Sequence, residues 1–261
     1  MAKYFILTGI PRSGTTLMCN LANKVSNVVC MNEVAEAYDV PNLPKFFQWT
    51  ERRIDHHMSI PMDVDVAGEL ITDTQYQEHR FSGYVVPYDR DKPLFIGSKI
   101  NWPYLSQMDT IKTYGYKVFA VVRNPVYAIA SWNKNPENIN EYHVMPDDWE
   151  GGDGKWLRYS QFSFRANDRL GRQAEIWNMM AQIILDLGHR NIFWYEHLVS
   201  ETKYRLMYFC SLLGGAEYDV ERLDNLENRN QDELFTDVDL HGIRNAIRQY
   251  APLVNQLGYR V

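Results

Sequence analysis

The sequence predicts an α/β protein, a three-layer sandwich with a central parallel sheet. Three observations carry this. Short β-rich runs alternate with helical patterns along the 261 residues. Runs such as Val118-Phe119-Ala120-Val121-Val122 are apolar on both faces, as buried parallel strands require. The first run passes through a glycine-rich turn directly into an amphipathic helix.

Taken in order, strands are expected at 4–8, 28–30, 94–98, 116–122 and 191–195, with 28–30 the shortest. A helix over 14–26 repeats Leu17, Leu21 and Val25 at four-residue spacing. The next opens at Pro125, with Asn124 as N-cap and proline in the first helical position. Residues 172–187 set Ile176, Trp177, Met180, Ala181, Ile184 and Leu185 on one stripe. A further helix over 197–213 stops at Gly214-Gly215, and a last one covers 241–257. Two stretches, 36–93 and 136–170, interrupt the alternation and read as insertions of loops and small helices over the strand ends. With no repeat or linker, 1–261 reads as one domain.

Composition narrows the function classes. The chain is 45% hydrophobic and 13% aromatic, which excludes a disordered chain. Its 27 basic against 33 acidic residues, a net −6, disfavour nucleic acid as partner. No apolar run reaches the roughly 18 residues of a membrane span. Cys19, Cys30 and Cys210 lack close spacing and read as reduced thiols, so a cytoplasmic location without membrane attachment is expected. No metal-ligand spacing occurs among the seven histidines and three cysteines, so no metal site is expected.

The strongest motif is Gly9-Ile10-Pro11-Arg12-Ser13-Gly14-Thr15-Thr16-Leu17, between strand and helix. Unpaired backbone N–H groups and the helix dipole make such a turn an anion seat. Its spacing nearly matches the nucleotide-triphosphatase loop, which makes the fold P-loop-like, but Thr15 stands where that loop has its lysine. Losing the cation that reaches the β/γ-phosphates argues against ATP or GTP as phosphoryl donor, and Arg12 supplies positive charge instead. A second element follows another buried strand: Val121-Val122-Arg123-Asn124-Pro125, with Ser131 eight residues beyond Arg123. An arginine at a strand end presents a forked donor to a phosphate, and a serine two turns into the helix can donate to the same group.

These two blocks resemble the sulfotransferases that use 3′-phosphoadenylyl sulfate (PAPS) and release adenosine 3′,5′-bisphosphate (PAP), above all the tyrosylprotein, Golgi-type and bacterial branches. The resemblance implies that Arg12, Ser13, Gly14, Thr15 and Thr16 hold the 5′-phosphosulfate, while Arg123 and Ser131 hold the 3′-phosphate. Tyr195-Glu196-His197-Leu198-Val199 is similar to the family segment whose tyrosine touches the nucleotide, here Tyr195, and residues 251–259 look like many family C-termini. The R-K-G-x-x-G-D-W-K segment of the cytosolic branch is missing, and residues 226–242 are the candidates to cover the nucleotide in its place.

The same resemblance points to catalytic groups. Lys99 ends a predicted strand where the family has a lysine able to neutralise the leaving oxygen. Asn101 replaces the histidine base of the cytosolic pattern and cannot take a proton. Glu33 is similar in placement to the glutamate of the tyrosylprotein branch and becomes the candidate general base, with Glu36, Asp39 and His143 as substitutes. Arg12 joins Lys99 and Glu33 in the catalytic set. The expected activity is in-line sulfuryl transfer, without a metal, to a hydroxyl or amine of a small-molecule, glycan, lipid or peptide acceptor. A P-loop small-molecule kinase and a catalytically silent nucleotide-binding module stay open as alternatives.

Overall fold

The computed structural model describes residues 2–71, 80–134, 163–217, 226 and 228–261. It is an α/β sandwich on a five-stranded, all-parallel sheet formed by β1 (Lys3–Gly9), β2 (Val28–Asn32), β5 (Phe95–Lys99), β6 (Lys117–Val122) and β7 (Ile192–Trp194). The spatial order is β2-β5-β1-β6-β7. Each strand alternates between two apolar layers. Phe5, Leu7, Phe119, Val121 and Phe193 face one layer, while Ile6, Val118, Ala120, Val122 and Ile192 face the other. Burying each such side chain contributes about 1.5–3 kcal/mol, which is why these runs carry no polar alternation.

The first layer holds α1 (Thr15–Ala22), α7 (Tyr195–Ser200) and α8 (Thr202–Leu213), through Leu17, Leu198 and Phe209. The second holds α2 (Leu43–Asp55), α3 (Trp102–Ser106), α4 (Met108–Thr113), α5 (Pro125–Lys134), α6 (Arg169–Leu185) and α9 (Leu240–Tyr250), with Trp132 and Trp177 fully buried at its centre. Asn124 caps α5 as expected, its Oδ1 accepting from Val126 N at 3.0 Å.

Three expectations change. The helix over 197–213 is two helices, broken at Glu201. The last helix ends at Tyr250, since Pro252 cannot continue its hydrogen bonding, and a 3-10 turn over Pro252–Val254 follows. The 36–93 stretch is more than a cover over strand ends. Its α2 buries Phe46, Phe47 and Ile54 in the second layer, with Phe47 stacked on Tyr4 at 4.9 Å, and an antiparallel hairpin joins β3 (Ile60–Val64) to β4 (Arg80–Tyr84). Residues 135–162, most of the other insertion, lie outside the described residues, and His143 with them.

The order of strands fixes where a ligand goes. From β1 the chain crosses to β2 on one side, and from β6 to β7 on the other. At such a reversal the loops after two adjacent strands part and leave a crevice at their carboxyl ends. Arg12 follows β1 and Arg123 follows β6.

Candidate functional site

The loop after β1 is built to lie against β6. A Cβ at Gly9 would stand 2.2 Å from Val121 O, so only glycine lets Ile10 N continue the ladder to Val121 O at 3.2 Å. Gly14, at φ 85°, caps α1, and a Cβ there would meet the Tyr195 ring at 2.6 Å. From α5, Trp132 Nε1 donates to Pro11 O at 2.9 Å and pins the loop from the other side. The first-turn amides of α1 have no acceptor within the helix. Beside them Ser13 Oγ is buried without a hydrogen-bond partner. A buried hydroxyl left unmet costs about 1–3 kcal/mol, and an anion seated on this turn would supply the missing acceptor.

Arg123 is only 6% exposed and is held from all sides. Its Nε donates to Asn230 Oδ1 at 2.5 Å, Nη1 to Arg12 O at 3.2 Å and Nη2 to Arg229 O at 2.7 Å. Its guanidinium lies 4.6 Å from the centre of the Tyr195 ring. Each Nη carries a second N–H beyond these bonds, which is the pair a phosphate takes. Burial lowers the Arg123 pKa, with Tyr195 and Glu196 opposing and Arg12 adding to the fall.

Arg12 differs. It is exposed and left-handed at φ 65°, and its Nε donates to Ser131 Oγ at 3.0 Å. Desolvation, then repulsion from Arg229, lowers its pKa against the pull of Glu33; with solvent still reaching the residue, it stays cationic at neutral pH. Ser131, expected beside Arg123, is thus in contact with Arg12. The two candidate anion seats, distant in sequence, meet through the Arg123 Nη1–Arg12 O hydrogen bond.

One strand further along, Lys99 ends β5 between Leu7 of β1 and Asn32 of β2 in register. Its ammonium is almost wholly buried, at 3% side-chain exposure, and donates to Glu33 Oε1 at 2.6 Å and Thr16 Oγ1 at 3.3 Å. Glu33 is half-exposed, and its backbone, at φ 50°, is left-handed. Its amide donates to Lys99 O at 2.9 Å, continuing the ladder one residue past β2. Left-handed non-glycine residues are strained by about 1–2 kcal/mol, and of the four among the described residues two are Arg12 and Glu33.

Beyond Glu33, Asn32 Nδ2 donates to Asp63 Oδ2 of β3 at 2.7 Å, while Asn32 Oδ1 and Asn101 Oδ1 are buried without partners. Tyr38 nearby has its pKa pushed up to about 12, by burial first and then by Glu33. Of the candidate bases among the described residues, Glu33 is the one in hydrogen-bond contact with Lys99.

Arg229 and Asn230, from the 226–242 segment expected to cover the nucleotide, and Glu196, from the Tyr195–Val199 block, gather around Arg123 without having been singled out in the sequence. Asn230 Nδ2 donates to Glu196 Oε1 at 2.6 Å, and Arg229 N to Tyr195 Oη at 3.2 Å. No periodicity or spacing marks Arg229 and Asn230, because their segment is irregular and Arg229 reaches Arg123 from 106 residues away. Among the described residues no group of three or more His, Cys, Asp or Glu is placed to hold a metal, and no helix is long and apolar enough to cross a membrane.

No protein-family model and no curated protein sequence matches the chain. Among solved structures, a sulfotransferase from Alicyclobacillus acidocaldarius aligns at 13% identity over 95% of this chain and 96% of its own, with a TM-score of 0.42. The mouse sulfotransferase SULT7A1 complexed with PAP aligns at 12% identity over 99% of this chain and 68% of its own, with a TM-score of 0.39.

Proposed function

We propose that the chain is a sulfotransferase that moves a sulfuryl group from PAPS to an acceptor hydroxyl or amine by in-line displacement. The observation that carries the reading is the juxtaposition at one sheet edge of two arginine seats, bridged by Arg123 Nη1 and Arg12 O, with the buried Lys99 paired to the half-exposed Glu33 one strand away. A nucleotide with phosphates at both ends of its ribose needs two separate cationic seats, and a reaction releasing a phosphate oxygen needs a cation beside it.

The residues present fit that donor. Ser13 Oγ and the α1 amides offer donors to the 5′ end, and Arg123 offers its second Nη protons to the 3′-phosphate, with Tyr195 beneath. PAPS, as substrate, supplies a sulfuryl group already bonded to a phosphate oxygen. Lys99 has three N–H groups and spends two on Glu33 and Thr16, so the third serves the departing oxygen. Glu33 takes the proton from the acceptor as the acceptor oxygen or nitrogen bonds to sulfur and the sulfur–phosphate oxygen bond breaks. Lys99 and Arg12 balance the charge that appears on the released bisphosphate. The sulfuryl group carries less charge than a terminal phosphoryl group, so this chemistry needs no metal.

The acceptor side favours donors of hydrogen bonds. Glu33, Asp63 and the unpartnered oxygens of Asn32 and Asn101 are all acceptors, which suits a hydroxyl- or amine-bearing small molecule, glycan, lipid headgroup or peptide. The kinase alternative fares worse: Thr15, at the P-loop lysine position, is buried and offers no cation. The test is incubation with PAPS and a panel of hydroxyl and amine acceptors, with and without EDTA. Acceptor-dependent PAP release, indifferent to EDTA and lost in Lys99→Ala, is the expected result. Magnesium-dependent ATP turnover, or no transfer to any acceptor, would reject the reading.

A further inference from the structure

The Glu196 carboxylate has no place in the chemistry above, yet it is the most heavily used side-chain acceptor near the cleft. Oε1 accepts from Asn124 N at 2.9 Å and from Asn230 Nδ2 at 2.6 Å, while Oε2 accepts from Tyr259 Oη at 3.0 Å. These three donors come from the start of α5, the segment after 226 and the last turn of the chain. Tyr259 is 9% exposed, and its pKa is raised well above the ordinary tyrosine value by burial and then by Glu196, so it stays a neutral donor.

Glu196 supports the buried Arg123 cation, opposing the fall that burial imposes on its pKa. Its hydrogen bonds give it a second role. Asn230 is an amide relay: its Nδ2 is fixed by Glu196 and its Oδ1 thereby faces Arg123 Nε. Without a fixed acceptor for Nδ2, the amide can turn, and Nε loses its partner. Glu196 also fixes Asn124, the residue directly after Arg123, through its backbone amide.

We propose that Glu196 is a positioning residue for 3′-phosphate recognition: it orients the Arg123 guanidinium through Asn230 and Asn124 without touching the nucleotide. The proposal rests on the sulfotransferase reading for the identity of the ligand. It predicts a ligand-selective defect, because only the 3′-phosphate depends on the direction of the Arg123 fork.

The experiment measures dissociation constants of PAP and AMP by calorimetry for the intact chain, Glu196→Ala, Glu196→Gln and Asn230→Ala, with thermal melting of each. Glu196→Ala is expected to weaken PAP about tenfold and AMP less than threefold, in line with losing one charge-directed hydrogen bond. The glutamine oxygen still accepts from Asn124 N and Asn230 Nδ2, so Glu196→Gln should bind PAP within threefold of the parent. Asn230→Ala, which leaves α7 intact, should reproduce the selective loss even where Glu196→Ala proves too unstable to purify. Equal losses for both nucleotides, or a glutamine variant as weak as alanine, would overturn the positioning role while parent binding of PAP kept the sulfotransferase reading. A parent chain that binds no PAP would overturn both.

Discussion

The two ends of the cleft are built differently. At the Arg123 end every partner is in place: three hydrogen bonds, a ring beneath, and Glu196 behind, around a side chain 6% exposed. At the Arg12–Lys99–Glu33 end the arrangement is half-finished. Arg12 is exposed with Ser131 on its Nε, Ser13 Oγ has no partner, Glu33 is half in solvent, and both Arg12 and Glu33 hold left-handed backbones. On the proposed reading the difference separates recognition from reaction. A reader of a fixed phosphate gains from preorganisation, whereas groups that meet a changing charge keep unused donors and stored strain until the substrate arrives.

The largest effect belongs to the unfinished end. Lys99→Ala should lower kcat about 10³-fold and Glu33→Gln about 10²-fold, both with PAP affinity within about threefold of the parent. Single-turnover rates alongside PAP calorimetry check this, and parallel losses in affinity would erase the distinction between the two ends. Next comes Arg123→Ala, expected to weaken PAP about 30–100-fold, or about 2–3 kcal/mol, while AMP changes little. Equal losses would show that Arg123 does not read the 3′ end.

Stability should divide the same way. Removing Arg123 leaves the carbonyls of Arg12 and Arg229 and the Asn230 oxygen without their donor, a cost of about 1–3 kcal/mol. Arg12→Gly should be nearly neutral in denaturant melts, since relief of the left-handed backbone, about 1 kcal/mol, offsets the lost Ser131 bond. An Arg12→Gly variant as unstable as Arg123→Ala would contradict the contrast.

The smallest effect concerns the buried thiols. Cys19 and Cys210 are buried, and burial pushes the Cys210 pKa up to about 11 and raises that of Cys19 well above its usual value. A raised thiol pKa keeps the unreactive protonated form below it, so alkylation should be slow at pH 7.5 and quicken as pH climbs toward 11. Labelling of the native chain as fast as of the denatured chain at pH 7.5 would refute this.

How much the sequence revealed depended on how local each feature is. Arg12, Ser13 and Arg123 were readable because each sits in a strand–turn–helix whose hydrophobic pattern names its place. The parallel strands were readable from runs apolar on both faces. Glu33 was reached through resemblance, since a carboxylate after a short strand has no pattern of its own; its contact with Lys99 crosses 66 residues. Asn230 was hidden because its irregular segment has no period, and Glu196, though inside the Tyr195–Val199 block, because a hydrogen bond between distant residues leaves no trace in spacing. The contact of Ser131 with Arg12 was not legible, because helix position alone does not say which guanidinium packs against it.

The central claim is that the two arginine seats grip opposite ends of one nucleotide, and thermal-shift titration tests it most directly. PAP should raise the melting temperature well beyond equal concentrations of AMP or of ATP with magnesium, because only PAP occupies both seats. Equal shifts for PAP and AMP, or a larger one for ATP with magnesium, would contradict it.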